Sequence, residues 1–578
     1  MSDPRSATPI DPASTNVPPS AEVLAEAGRR VAQAYPGLYA HQRTGVAFLL
    51  SRKRAILADD MGLGKTRQAV VALREAQPDG PYLVVCPAGV KLVWDREIRA
   101  VEPDADVHVV SGKAPPEPGH RWTVVNYDLL ARFEGALGSI PWAGLVADEA
   151  HYIKNGSRRA TQVLRLAGVE RGSAADLGPE VVYLLTGTPM ASRPRDLFNL
   201  LRSVRHPLAT SFYSYAKRYC AAVDNGYGLD TRGASNVEEL AALVAGVMLR
   251  RSKDEALDLP PKTRSWQPVE VTGAAVRREE ARALDFFARN PERDGPTWVQ
   301  FLGILNKARH ALAVAKLQAT VEAVRDRVEV GEKVVVFTGY TAVVEGLIEA
   351  FGESAISITG ATPSADRLAI ADRFQEDPSV RVLVGNLQAA GTGLTLTAAT
   401  HVVFNDLDWV PANHWQAEDR IYRIGQTRPA FVTYLVAEGT LDDFVAALLE
   451  QKARLIGVLD AEAADQASLV EAVVEAAVSG EWPDWAKLGI VQAKRVAAAT
   501  DGGSMGLLGD VLDLLARSGR GLASVTDVER VIEFPSKSRP GEVNVVRIVA
   551  GVASCTCPGF AYRGNCTHAR EAGKAVAG

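Results

Sequence analysis

The sequence predicts an α/β protein with two parallel-sheet lobes in tandem and a small C-terminal module. Short β-branched runs alternate with helical stretches through residues 36–250, and the same alternation restarts after residue 315. This alternation is typical of parallel sheets with helices packed on both faces. The chain has five cysteines, and most of them lie in one short stretch, residues 555–566, near its end.

The predicted strands are continuous apolar runs, which favour burial on both faces of a sheet. In the first lobe they are RAILA (54–58), YLVVC (82–86), WTVVN (122–126), GLVA (144–147) and VVYLL (181–185). In the second lobe they are KVVVF (333–337), AISIT (355–359), RVLVG (381–385), HVVFN (401–405) and FVTYLV (431–436).

Changes in composition predict the boundaries between these parts. The first stretch is rich in Pro, Ser and Thr, which indicates a disordered leader, and Pro260-Pro261 interrupts any helix between the lobes. The expected order is a leader (1–35), the first lobe (36–250), a helical inter-lobe region (251–314), the second lobe (315–460), a helical linker (461–530) and the C-terminal module (531–578).

Charge and hydropathy limit the possible partners and location. With a net charge of −5 over 578 residues, the chain has no global basic signal, so any nucleic-acid contact must use local patches. No run approaches the eighteen apolar residues of a membrane span, and the N-terminus has no apolar core of a secretory signal. We therefore expect a cytoplasmic protein with no membrane partner, associated with the nucleoid if it is prokaryotic.

A candidate phosphate-binding loop follows the first predicted strand. ADDMGLGKT (58–66) lies between a predicted strand and a predicted helix start, where a phosphate loop belongs. Gly62 and Gly64 would let backbone N–H groups approach phosphates, and the helix N-terminus favours negative charge. Lys65 would reach the β- and γ-phosphates and Thr66 would bind Mg²⁺. Asp59 replaces the usual first glycine, so an ordinary strand–turn–helix junction is the alternative.

Two adjacent carboxylates end another predicted strand. In GLVADEAHYIKN (144–155), Asp148 and Glu149 follow a buried run, where charge is costly unless it has a partner or a task. Asp148 suits Mg²⁺ binding and Glu149 suits activation of an attacking water. The alternative is two acidic residues that merely begin a loop.

Together with these, LLTGTPMAS (184–192), QAAGTGLTLTAA (388–399) and QAEDRIYRIGQ (416–426) resemble the ordered motifs of superfamily 2 ATPases with a DEAH box. More narrowly, the chain resembles the Swi/Snf type of DNA-dependent ATPase. In that type, an Asp at the position of Asp59 is the usual departure from the glycine pattern of the phosphate loop. The resemblance covers about residues 36–455 and implies two RecA-like lobes. The short inter-lobe region and residues 308–324 are more similar to the fork-remodelling, annealing-helicase branch than to nucleosome remodellers.

The resemblance implies a role for individual residues. Thr186 and Thr188 would couple hydrolysis to motion, and Gly391, Thr392 and Gly393 would lie in a loop facing DNA and nucleotide. The nucleotide-binding set would be Gln42, which resembles an adenine-reading glutamine, with Asp59, Met61, Gly62, Leu63, Gly64, Lys65, Thr66 and Gln416. The catalytic set would be Lys65, Asp148, Glu149, Arg420 and Arg423, with ATP and Mg²⁺ as cofactors. Without that resemblance, Gln42 would read as a surface helix residue.

Arg420 and Arg423 are three residues apart, so on a helix they would share one face. A guanidinium from the second lobe could stabilise charge on the transferring phosphate, which is worth about 10³–10⁵ in rate in other enzymes. The alternative is a solvated basic face. Since the phosphate loop lies on the other lobe, catalysis would require lobe closure. If both lobes grip DNA, the cycle would move the protein along it, and the family implies double-stranded DNA.

The C-terminal cluster predicts a zinc site. Cys555-x-Cys557 and Cys566-x-His568 provide four ligands in two close pairs, and Zn²⁺ prefers four such ligands in a tetrahedron. The spacing resembles the SWIM zinc finger, which occurs with Swi/Snf-type ATPases. Unrelated thiols or a redox pair are the alternatives. Basic and aromatic neighbours, among them Arg563 and Tyr562, suit a DNA contact, a protein-docking surface or a purely structural cap.

The sequence thus favours an ATP-dependent DNA translocase in repair, fork remodelling or remodelling of a protein–DNA complex. Three other functions stay open: a strand-separating helicase, a non-catalytic clamp on DNA or protein, and a factor that remodels polymerase on DNA. The complete set of Lys65, Asp148, Glu149, Arg420 and Arg423 argues against the clamp.

Overall fold

A computed structural model describes most of the two lobes and three strands near the C-terminus. The described residues are 18–170, 178–187, 189, 193–224, 228–231, 233–271, 273–289, 295–390, 393–408, 411–438, 440–442, 445–446, 530–535, 543–549 and 552–555. The predicted helical linker, residues 461–530, lies outside them except for residue 530. Among the described residues, no helix is long and apolar enough to cross a membrane.

The first lobe is built on a seven-stranded parallel sheet with the strand order β3-β4-β2-β5-β6-β1-β9. Its strands are β1 Arg54–Leu57, β2 Tyr82–Cys86, β3 Val107–Val109, β4 Trp122–Asn126, β5 Gly144–Asp148, β6 Val181–Leu185 and β9 Met248–Leu249. A short antiparallel pair, β7 Val223–Asp224 and β8 Leu229–Asp230, lies outside this sheet.

Helices cover both faces of this sheet. They are α1 Ala21–Ala34, α2 Ala40–Arg52, α3 Lys65–Ala76, α4 Lys91–Val101, α5 Tyr127–Leu130, α6 Glu134–Gly138, α7 Arg158–Leu166, α8 Pro194–Ser203, α9 Phe212–Tyr219 and α10 Val237–Val244. Alternate strand residues enter two separate apolar clusters: Ile56 and Val85 enter one, and Leu57 and Val84 enter the other. Burial on both faces explains why the strands read as continuous apolar runs.

The second lobe is built on a six-stranded parallel sheet with the order β10-β15-β14-β11-β13-β12. Its strands are β10 Lys262–Val269, β11 Val334–Thr338, β12 Ala355–Ile358, β13 Val382–Asn386, β14 His401–Phe404 and β15 Ala430–Ala437. The remaining helices are α11 Lys253–Ala256, α12 Ala274–Arg289, α13 Gly295–Ala315, α14 Leu317–Glu329, α15 Thr341–Phe351, α16 Ser364–Glu376, α17 Leu387–Ala390 and α18 Pro411–Glu418.

Two predictions from composition are wrong in part. Residues 21–34 of the supposed disordered leader form α1, which Ser20 caps by accepting from the Val23 N–H and which buries Val31. Residues 262–269 of the supposed helical inter-lobe region form β10, which pairs in parallel with β15. Six of the eight β10 residues are exposed, so the strand lacks the apolar run by which the other strands were recognised.

Contacts divide the chain into two compact units. One contains residues 1–279 and 303–470, and therefore both sheets; the other contains residues 280–302 and 471–578. The described part of the C-terminal module is an antiparallel sheet of β16 Arg530–Pro535, β17 Val543–Val549 and β18 Val552–Cys555. Strand β18 therefore leads the chain to Cys555, the first of the clustered cysteines.

Candidate active site

The phosphate loop, residues 58–66, joins β1 to α3. Gly62 and Gly64 adopt positive φ of 85° and 73°, which side-chain-bearing residues rarely adopt. A Cβ on Gly64 would also overlap the Gln42 amide, so the loop needs glycine there. The Lys65 ammonium donates to the carbonyls of Asp59 and Asp60 at 2.6 and 3.1 Å, which holds it over the loop.

Asp59 has a different environment from the rest of the loop. Its carboxylate is fully buried and receives two hydrogen bonds from the Arg251 guanidinium, at 2.9 and 2.5 Å. Arg251 also donates to the His41 carbonyl and to the Gln68 side chain. A buried carboxylate so paired stabilises the loop conformation, and its oxygens are turned to Arg251 and Gln68.

Gln42 is buried beside the loop rather than exposed on its helix. Its amide oxygen accepts from the Tyr39 N–H at 3.1 Å, and its amide nitrogen lies 3.5 Å from the Leu63 carbonyl. His41 also contacts that carbonyl, at 3.0 Å. The structure therefore places Gln42 next to the predicted nucleotide site, against the alternative of a surface helix residue.

The two adjacent carboxylates lie at the carboxyl end of β5, the edge where parallel α/β sheets bind ligands. Asp148 accepts from the Trp94 indole N–H at 2.8 Å and from the Glu149 backbone N–H at 3.0 Å. Glu149 has a positive φ of 50°, an uncommon conformation for a residue with a side chain. Its Oε2 lies 3.3 Å from His151 Nδ1, yet both atoms are buried without a well-formed hydrogen bond.

Their surroundings shift the pKa values of Asp148 and Glu149 in opposite directions. Burial, together with the neighbouring Glu149 charge, raises the pKa of Asp148 to about 6. Burial also opposes ionisation of Glu149, but His151, Lys65 and Arg420 outweigh it and keep the pKa of Glu149 below its usual value. A divalent cation at Asp148 would relieve its unfavourable charge, and an ionised Glu149 is suited to accept a proton.

Arg420 and Arg423 come from the second lobe, but they do not lie on a helix. Helix α18 ends at Glu418, and the following residues form tight turns in which Arg420 N–H donates to Ala417 and Ile421 N–H to Glu418. Both guanidinium groups nevertheless face one carbonyl, that of Leu394, at 3.5 Å for Arg420 and 3.1 Å for Arg423. The prediction of a shared helix face is wrong, although the two side chains do converge.

The arginine segment, residues 416–426, meets the phosphate loop directly. A Cβ placed on Gly62 would lie 2.9 Å from the Arg423 Cβ, and Ile424 borders Gly64. The positive charge of Arg420 is one of the causes that keep the pKa of Glu149 below its usual value. Gly393, with a φ of 74°, packs against Val90 of the first lobe. The structure is therefore a closed arrangement of the two lobes.

Several other predicted residues lie around this cleft. Met61 packs against Gly187, Thr66 occupies the first turn of α3, and Thr186 is buried beside β1. Gln416 is on the last turns of α18, where its carbonyl accepts from Arg420 Nε at 2.8 Å. Outside the described residues lie Thr188, Gly391, Thr392, Cys557, Cys566 and His568, whereas Cys555 ends β18.

Sequence reasoning gave no role to four residues that position this site: Trp94, Arg251, Lys253 and Glu418. Arg251 and Lys253 lie in RRSKDEALDLPPK (250–262), the segment that leaves the first lobe, for which the sequence predicted no role in the site. Glu418 is fully buried and binds Lys262 and Arg264. The acidic pair Glu418-Asp419 directly before Arg420 was the one available signal.

Comparisons with known proteins find similarity in both lobes. Residues 41–275 match the SNF2-related domain, and residues 315–425 match the helicase conserved C-terminal domain. The mouse protein named DNA annealing helicase and endonuclease ZRANB3 is 34% identical over 435 residues, which cover 72% of this chain and 40% of that protein.

A Caenorhabditis elegans protein named SWI/SNF-related matrix-associated actin-dependent regulator of chromatin subfamily A-like protein 1 homolog is 33% identical. The match covers 73% of this chain and 61% of that protein. The chain thus spans about two fifths to three fifths of these relatives. A solved structure described as the Sulfolobus solfataricus SWI2/SNF2 ATPase core in complex with dsDNA is 26% identical over 72% of this chain and 92% of that one, with a TM-score of 0.35.

Proposed function

This chain carries an SNF2-related domain followed by a helicase conserved C-terminal domain, and on that premise we propose that it is an ATP-dependent translocase on double-stranded DNA. One observation carries the proposal: arginines of the second lobe adjoin the phosphate loop and carboxylates of the first. Such a shared site couples hydrolysis to the opening and closing of the lobes. Relatives at 33–34% identity include one named a DNA annealing helicase, which supports DNA as the partner.

The residues of the cleft fit ATP and Mg²⁺. Thr66 and Asp148 would hold the cation, whose chemistry is to neutralise phosphate charge. Lys65 would bind the β- and γ-phosphates, and Gln42 would contact the base. Glu149 would accept the proton of the attacking water, because a carboxyl group whose pKa lies below its usual value is ionised at neutral pH.

Arg420 and Arg423 would stabilise charge that develops on the transferred phosphoryl group. Burial lowers the pKa of both guanidinium groups, but that of Arg420 only to about 10, so it stays cationic at neutral pH. Arg420 is buried and Arg423 is partly buried, so their charge would act on phosphate more strongly than it would in water. Opening of the lobes would withdraw them and end the catalytic arrangement.

The deciding experiment measures ATP hydrolysis with no nucleic acid, with single-stranded DNA, with duplex DNA and with RNA. We expect duplex DNA to stimulate turnover most, because a translocase that grips the phosphate backbone needs no separated strands. A hydrolysis rate that none of the three nucleic acids stimulates would refute the translocase. Stimulation by single strands alone would favour the strand-separating helicase, and DNA binding without hydrolysis would favour the clamp.

We also propose that Cys555, Cys557, Cys566 and His568 bind one Zn²⁺ in a SWIM-type finger. The support is the donor set and its spacing, together with β16–β18, a small sheet that leads the chain to Cys555. A module of this size buries little apolar surface, so a metal would supply much of its stability. The finger would then contact either DNA or a protein partner.

Metal analysis of the purified chain tests the zinc site. We expect about one zinc per chain and its loss when Cys555→Ser and Cys557→Ser are combined. The matched control is Cys220→Ser, a buried cysteine of the first lobe, which should leave the zinc content unchanged. A native protein without zinc would refute the site.

A further inference from the structure

The linker segment, residues 250–264, bridges the two halves of the candidate active site. It leaves the first sheet at β9 and enters the second at β10. Between these strands it contacts the phosphate loop with its first residues and the arginine segment with its later ones. Because the linker segment is fixed to both, a movement of the phosphate loop can be transmitted through it to the arginine segment.

At the phosphate loop the attachment uses both backbone and side chains. The Asp60 N–H donates to the Arg251 carbonyl at 3.0 Å, and the Lys253 N–H donates to the Asp60 carboxylate at 3.1 Å. Ser252 and Glu255 form a reciprocal capping box that fixes this turn of chain as α11. The backbone at Lys253 is therefore held in register with the loop.

At the arginine segment the attachment is ionic and nearly dry. The Lys253 ammonium pairs with Asp419, the residue before Arg420, and the two side chains are only 11% and 10% exposed. The Lys253 ammonium also lies over the Tyr422 ring, 5.6 Å from its centroid. In the sequence, Tyr422 stands between Arg420 and Arg423. On its way the side chain passes Gly62, where an added Cβ would be 3.5 Å from the Lys253 Cε.

The far end of the linker segment holds the same turn from the other side. Lys262 and Arg264 both bind Glu418, and Lys262 lies 4.8 Å from the Tyr422 centroid. These contacts fix where α18 ends, but they involve residues anchored to the second lobe through β10. Lys253 differs, because its backbone is anchored to the first lobe while its charge holds the second.

We propose that Lys253 is a positioning residue that couples the phosphate loop to the arginine segment, so that Arg420 and Arg423 reach the nucleotide only while its bridge to Asp419 is formed. The inference rests on the proposed ATPase function. It concerns a residue that would orient the arginines and would not itself contact the phosphate in this arrangement.

The test measures kcat and KM for ATP with saturating duplex DNA. We expect Lys253→Met to lower kcat about tenfold to a hundredfold while KM changes less than about threefold, as for loss of an interaction made in the transition state. Lys253→Arg should return kcat to within about threefold of the unaltered protein. Asp419→Asn should match Lys253→Met, and the double variant should be no slower than either, because the pair acts as one unit.

The matched control is Arg96→Met. Arg96 also pairs across the lobes, with Asp372, but both side chains are about half exposed. We expect a change in kcat of less than about twofold, as exposed ion pairs contribute little. The proposal would be overturned by a kcat of Lys253→Met within about twofold of that of the unaltered protein. It would also be overturned if the effects of the two single variants on kcat multiplied in the double variant.

Failure of the proposed function gives a different result. In that case the unaltered protein would show no DNA-stimulated hydrolysis at all. Whether the Lys253–Asp419 bridge forms is then tested by thermal unfolding without DNA or ATP. The four proteins compared are the unaltered protein, Lys253→Met, Asp419→Asn and the double variant. A double variant with the melting temperature of the less stable single variant supports the bridge, and additive shifts overturn it.

Discussion

The two lobes contribute to the candidate site in different ways. The first lobe presents Asp148 from the end of the buried strand β5, and Lys65 from the start of α3, after the loop that follows the buried strand β1. The second lobe presents Arg420 and Arg423 from irregular turns beyond α18. Those turns are held by buried charges, chiefly Glu418, rather than by a sheet or helix.

This difference indicates a division between a fixed half and an adjustable half. Strand ends buried on both faces move little, since displacing them would open a close-packed core. An ion-paired turn has discrete alternative partners, and its arginines can be delivered or withdrawn when the lobes move. Variants in the first lobe should therefore abolish chemistry outright, whereas variants in the second should weaken it in graded ways.

The largest expected effect is in the first lobe. Lys65→Ala or Glu149→Gln should reduce ATP turnover to background, because phosphate binding or proton acceptance is lost, while DNA binding stays measurable. Steady-state hydrolysis and a duplex-binding assay check this. Robust turnover by Glu149→Gln would disprove the role assigned to that residue.

The next largest effect is in the arginine segment. Arg420→Ala should lower kcat by about 10³-fold, with ATP binding weakened far less, because the guanidinium acts mainly on the transition state. Equilibrium binding of a fluorescent ATP analogue, measured beside kcat, separates the two quantities. Equal losses in both would mean that Arg420 belongs to the fixed half of the site.

A third prediction concerns stability of the phosphate loop. Arg251→Ala leaves the buried Asp59 carboxylate without its cation, and we expect a loss of about 3–5 kcal/mol in the free energy of unfolding. Denaturant titration measures it. As a control, Arg165→Ala removes an exposed ion pair with Glu134 and should cost less than about 1 kcal/mol. Equal effects of the two variants would contradict the structural role of Arg251.

The smallest effect concerns pH and the second lobe. Burial alone would raise the pKa of Glu418, but Lys262 and Arg264 outweigh it and bring that pKa to about 2. The unfolded value is about 4.3, so the stability from Glu418 is complete above that pH and is lost as pH falls towards 2. The difference in unfolding free energy between the unaltered protein and Glu418→Gln should shrink over this window. The exposed Glu353→Gln should show no such trend.

Much of the fold could be predicted from the sequence because two-sided burial leaves a plain signature. All ten strands predicted from apolar runs in the two lobes are present, with ends shifted by one residue at most. Strand β10 was missed because its residues are mostly exposed, and α1 was missed because proline and serine before residue 20 suggested disorder.

Within the candidate site, the residues at strand ends and glycine turns could be predicted from the sequence. Gly62, Gly64, Lys65, Asp148 and Glu149 follow from short-range spacing, because local backbone geometry restricts which residues can serve there. Their roles in hydrolysis remain predictions, and so does zinc binding by Cys555, Cys557, Cys566 and His568.

The contacts between the first-lobe half and the second-lobe half of the site are visible only in the tertiary structure. The pairs Arg251–Asp59 and Lys253–Asp419 join residues separated by 192 and 166 positions, and no local pattern predicts such partners. The arginines converge through turns rather than along a helix face, because the buried Glu418 binds a linker strand that the sequence did not reveal. Long-range ion pairs depend on which surfaces the folded chain brings together, and that depends on the packing of both lobes.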